Sequence, residues 1–197
     1  MRKFSHLIFG QQRLNRLKGF RKDAGGVAAI EFAMIVPLML MMFVGAVEFS
    51  QAITVDRRVS QVASATADLV ARSKELSTSD MTGITQVVEQ LVKPYDHTLL
   101  KMSIMNVAAS PTDATDTKIC WAYAHNGGTG AYNKNDPYTL PTGVVEAGDS
   151  VVVTEVEYAY EPLIFNHFIT STKNLEEKFY LKPRLSSYVE YDGNDCS

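Results

Sequence analysis

Few of the residues that could do chemistry stand at spacings that make a site. The four histidines, His6, His97, His125 and His167, are far apart, and none has metal-ligand spacing with a cysteine or a second histidine. No metal and no cofactor are therefore expected. Gly127-Gly128-Thr129-Gly130 has the glycines of a phosphate-cradling loop, but no Gly-Lys-Ser/Thr follows, so it reads as a flexible turn. Glu155 and Glu157 fall on one face of an alternating segment, as paired acids do in some hydrolases. With Lys178 and Lys182 nearby they read more simply as a solvated face. Asp192, Asn194 and Asp195 could touch a cation, but a calcium loop needs more ligands and a fixed turn. These residues give no reason to call the chain an enzyme. Turnover of a substrate by residues 49–197 would be needed to revive a membrane-tethered enzyme.

One acid stands apart from these. Glu31 is the only charged residue between Val27 and Val47, a run of 21 residues. As a helix that run is about 31 Å long, close to a hydrocarbon core of about 30 Å. A carboxylate there costs several kcal/mol and calls for a functional explanation. Pairing inside the lipid with a cation of a neighbouring subunit would answer that cost. Being one turn past a basic segment, it could also reach the headgroups, toward Arg21 or Lys22.

The surrounding residues resemble a known motif. Gly26, then Val27-Ala28-Ala29-Ile30-Glu31-Phe32-Ala33, followed by Pro37 and Gly45, is similar to the processing site and anchor helix of TadE-like proteins. These are minor pilins or pseudopilins of the tight-adherence (Tad/Flp) pilus system. The resemblance implies a cut by prepilin peptidase between Gly26 and Val27. Glu31 is then the fifth residue beyond the cut, where the resemblance implies a role in placing the precursor in the peptidase, and Phe32 completes the family's Glu-Phe pair. It further implies an α-amine at Val27 that a neighbour's Glu31 could match. The implied partners are the inner membrane, the prepilin peptidase, other pilins and Tad assembly proteins, with no nucleic acid and no small-molecule substrate. The motif covers about 25 residues, and the rest of the chain agrees only in layout. An uncut single-pass anchor with a periplasmic binding domain and a type II secretion pseudopilin are the alternatives. A 26-residue leader and the Glu-Phe pair favour the tight-adherence group.

Composition supports an anchored protein. With 197 residues there is room for one membrane anchor and one modest soluble domain. Residues 1–26 carry seven basic residues against Asp23, a formal +6, so residues 27–197 carry −9. The positive-inside rule puts the leader in the cytoplasm and the acidic remainder across the inner membrane. A signal-type cut near Val44-Gly45-Ala46 is poorly flanked by Phe43 and Glu48. In an oxidising periplasm Cys120 and Cys196 could pair and tie the C-terminus to the domain, or stay as two thiols.

The elements that must position these residues follow from periodicity. Residues 1–26 form a basic leader with a short amphipathic helix over about 4–20, 27–47 the transmembrane helix and 48–77 its continuation. Val55, Val59, Val62, Thr66, Leu69, Ser73 and Leu76 form a heptad-like stripe on that continuation. Residues 78–197 form a periplasmic α+β domain. In it, Ser77 to Asp80 caps a helix over Met81–Val92, and Lys93-Pro94 ends it. Strands are predicted over 99–107, 118–123 and 150–160. A last one, over Lys178–Leu185 and Ser187–Tyr191, is broken near Pro183. Ser110–Asp116 reads as a polar turn, Asn126–Asp136 as a long loop and Leu163–Ile169 as a short helix or loop. The fold class is α+β: a long N-terminal transmembrane helix followed by a mostly antiparallel sheet. The resemblance adds that it is pilin-like.

Overall fold

The computed structural model describes residues 25–162 and 172–196. The leader helix predicted over 4–20 and the segment Leu163–Ile169 lie outside these residues. The first helix, α1, spans Gly25–Ala71 and contains Pro37. The chain divides into two compact units, Met1–Val47 and Glu48–Ser197.

In the first unit the described residues are helical throughout, and the large apolar side chains from Val27 to Phe43 are nearly all exposed. Water would penalise such a stretch, whereas hydrocarbon would not. Backbone groups inside a helix are already paired, so the segment can enter a bilayer intact. Among the described residues, α1 is the one helix long and apolar enough to cross a membrane.

In the second unit, the part of α1 from Glu48 to Ala71 is followed by β1 (Glu75–Leu76), α2 (Thr78–Glu89) and two 3₁₀ turns, Gln90–Val92 and His97–Leu99. Then come β2 (Leu100–Ser110), β3 (Asp113–His125), β4 (Ser150–Tyr160), β5 (Lys173–Leu181) and β6 (Glu190–Tyr191). The main sheet is antiparallel, in the order β3-β2-β4-β5. The architecture is α+β, as expected from the sequence.

Several boundaries differ from the sequence reading, each for a local reason. The helix stops at Ala71 rather than Ser77, because Ser73 N–H bonds back to Val70 and Arg184 N–H takes the Ala71 carbonyl. The predicted stripe slips near its end. Val55, Val59, Val62 and Thr66 are buried, but Val70 replaces Leu69, which is 38% exposed. A straight helix follows 3.6 rather than 3.5 residues per turn, so a heptad drifts off the face after a few turns. Ser77 caps α2 in a reciprocal capping box with Asp80, and the helix begins at Thr78, three residues before the predicted start. The polar turn shrinks to Pro111-Thr112, since β2 and β3 extend into it.

The last predicted strand is two pieces. β5 starts earlier than expected and pairs with β4, while β6 pairs in parallel with β1 in a separate two-stranded sheet. Between them residues 182–189 leave the main sheet.

The sheet is covered on both faces. Even-numbered residues of β2 and β4 face the helices. Val55, Val59 and Val62 pack with Met102, Val156, Tyr158 and Val88. Val70 and Met81 pack with Ile104, Val152 and Trp121. On the other face Met105, Val107, Ile119, Val151 and Val153 pack under Tyr132, Tyr138, Leu140 and Val144. The stretch 126–149, part of which reads in sequence as a polar loop, is therefore the lid of a second hydrophobic layer. A β-bulge between Asn106 and Val107 makes Cys120 the extra residue of β3. It lets Cys120 and Trp121 join the helix-side core while Ile119 faces the other layer.

Candidate functional site at the start of the anchor helix

Gly26, Val27, Glu31 and Phe32 all lie in the first two turns of α1. Gly26 is exposed, and a β-carbon built on it would meet nothing within 4 Å. Among the described residues, no contact within the chain itself requires glycine at this position. Val27 is 57% exposed and Phe32 69%. Val27 and Glu31 are four residues apart, so they share a helix face about 6 Å apart along the axis. Glu31 is exposed among apolar neighbours, with Ile30 and Ile35 beside it. Glycine costs about 1 kcal/mol relative to alanine in a helix, so Gly25 and Gly26 weaken the helix locally at this point. The arrangement is an accessible backbone bond followed, one turn on, by an acid in an apolar span.

The structure joins Cys120 and Cys196 in a disulfide, with α-carbons 4.7 Å apart. Asp192 accepts from Thr78 N–H at 3.0 Å and from the Thr78 hydroxyl, so its role is a second cap on α2. Among the described residues no group of three or more His, Cys, Asp and Glu side chains is placed to hold a metal ion. His125 is half-buried and meets Glu89 of α2 at 2.7 Å. Periodicity carries no signal for that long-range pair. His97 is exposed in its 3₁₀ turn, and His6 and His167 lie outside the described residues.

Glu155 corrects a reading made from sequence. Its side lies not on a solvated face but under the 126–149 cover, and the residue is 3% exposed. One carboxylate oxygen accepts from the Thr129 hydroxyl at 2.8 Å and the Tyr132 hydroxyl at 2.6 Å. The other accepts from the Tyr138 hydroxyl at 2.8 Å and from Lys178. Burial pushes this carboxyl up, but Lys178, the two phenols and Thr129 outweigh it and hold the carboxyl below its usual range. Burial and the neighbouring carboxylate push Tyr132 up to about 12 and raise Tyr138 as well, so both remain donors at neutral pH. Thr129 N–H also bonds the Ser103 hydroxyl, which brings the chain tight against the sheet at Gly128. There a β-carbon would lie 2.8 Å from Ser103 Oγ, and φ is +68°. Gly128 is thus a fixed point of the cover, not a flexible turn. Lys182 pairs instead with Asp149, at 2.9 Å. Glu157 bonds Asn174 at 2.8 Å.

Comparison with known proteins agrees with the anchor geometry. Residues 26–68 match the family model of TadE-like proteins. No curated protein and no solved structure matches the chain. Over its anchor helix and the continuation to Asp68, the chain is similar to TadE-like proteins.

Proposed function

We propose that this chain is a minor pilin or pseudopilin that takes part in assembling a tight-adherence (type IVb, Tad/Flp) pilus for surface adherence. Prepilin peptidase matures it by cutting between Gly26 and Val27. In this reading the chain is a substrate and a building part, not a catalyst. It crosses the inner membrane once, with the leader in the cytoplasm and residues 48–197 in the periplasm.

One observation carries the reading: an exposed Gly26–Val27 bond stands one turn before Glu31, the only acid of the membrane-length apolar run 27–47, inside the TadE-like match. Cutting there leaves a cationic α-amine at Val27. At the centre of a bilayer an acid costs about 2.5–3.5 kcal/mol by insertion scales, and Glu31, nearer the end of the span, carries a smaller share of that cost. A neighbouring subunit that presents its amine to Glu31 removes that cost and sets axial register between the two helices.

Co-expression with prepilin peptidase tests this. The product is expected to lose 26 residues and to begin at Val27 on N-terminal sequencing. Gly26→Ala is expected to remain full-length while still inserting in the membrane. A wild-type product that keeps its initiator methionine refutes the reading. After cutting, Glu31→Gln is expected to insert normally but to lose co-purification with partner subunits.

A further inference from the structure

The last stretch of the chain, 182–196, packs little on its own account. Val189 is its one fully buried residue, and its regular structure is the two-residue strand β6. Yet buried groups depend on it. The Val189 carbonyl accepts from Trp121 Nε1 at 2.6 Å and from Asn106 Nδ2 at 3.3 Å. The Tyr191 ring lies 5.2 Å from that of Trp121. Asp192 caps α2 through Thr78, and Glu190 and Asp192 N–H groups bond the carbonyls of Lys74 and Leu76. At the end of this stretch, Cys196 bonds Cys120 at the β3 bulge.

We propose that residues 182–196 form a redox-latched strap. With Cys120 and Cys196 joined, the strap is closed over the helix-side core around Trp121. With both as thiols it opens locally while the main sheet stays folded. A segment with so few buried contacts opens at low free energy unless it is tethered, and the disulfide supplies that tether. The bond is within reach of a reductant. Cys120 is buried, but Cys196 is half-buried, and both line an open cavity of about 250 Å³ with Lys118, Lys134, Asp116 and Asp195. Reduction by a dithiol passes two electrons and two protons to the S–S bond. Two thiols form, and the reductant becomes a disulfide. The proposal does not depend on the pilus assignment.

Trp121 is the only tryptophan and so reports on the strap directly. The full chain in detergent micelles is reduced with dithiothreitol, alkylated and compared with the oxidised form. Expected are a red shift of Trp121 emission and amide exchange over residues 186–196 faster by roughly tenfold or more. Exchange in β4 is expected to be unchanged. Cys196→Ser should reproduce the reduced state without reductant. The proposal is overturned if emission and strap exchange stay as in the oxidised form. It is equally overturned if β4 amides open together with the strap, since the disulfide would then be a global cross-link and not a latch.

Discussion

Replacing Glu155 with glutamine tests whether the 126–149 cover is held by a buried charge. The substitution keeps the size of the side chain and changes only what its two terminal atoms can do. Each carboxylate oxygen has two donors, so either orientation of the amide aims its NH2 at two donor groups. The better orientation keeps the amide oxygen toward Lys178 and Tyr138 and turns the NH2 toward Thr129 and Tyr132, whose hydroxyls can rotate to accept. What is lost is the charge. A hydrogen bond to a charged group contributes about 1.5–3 kcal/mol against about 1 kcal/mol for a neutral one. Rotation of the hydroxyls offsets part of the difference, and Lys178, whose side chain is 51% exposed, can turn to water. A net loss of about 2 kcal/mol is expected from the lost charge assistance, since the Lys178 charge left behind is solvated and not stranded. Chemical unfolding of the full chain in micelles, with amide exchange over 126–149, measures it. A loss below about 1 kcal/mol with the cover still protected refutes the argument. The pH dependence has a definite sign. The folded carboxyl lies below its usual value, so its contribution is complete above about pH 4.3 and fades as pH falls through the lower folded value. The glutamine variant is expected to lack that part of the acid-side loss.

Two other outcomes check the packing. Glu157 stands directly opposite Glu176 across β4 and β5, an unfavourable like-charge pair. Glu176→Lys is expected to raise stability by about 0.5 kcal/mol at low salt, an effect that salt should shrink in a thermal-melt series. Val70→Ala is expected to cost about 2 kcal/mol, because Val70 is fully buried, whereas Leu69→Ala should cost well under half of that. Equal losses in denaturant titrations would return the helix to a heptad register.

The sequence by itself determined the anchor. Length, apolarity and the position of Glu31 are local properties of a continuous run, and a helix needs no distant partner to satisfy its backbone. Strand β4 and the cap at Ser77 were legible for the same reason, since alternation and capping are set by near neighbours. Tertiary structure alone decided the rest. Only the register of β4 against β2 and β5 puts Glu155 beneath Tyr132 and Tyr138, residues whose spacing has no period to read. Only the bulge at Asn106 turns Cys120 toward the side where Cys196 arrives. The end of α1 is set by Arg184, more than a hundred residues later in the chain, and the role of Asp192 by the N-terminus of a helix it does not adjoin in sequence. Such contacts join residues whose local patterns carry no trace of each other, so they become readable only once the chain has closed on itself.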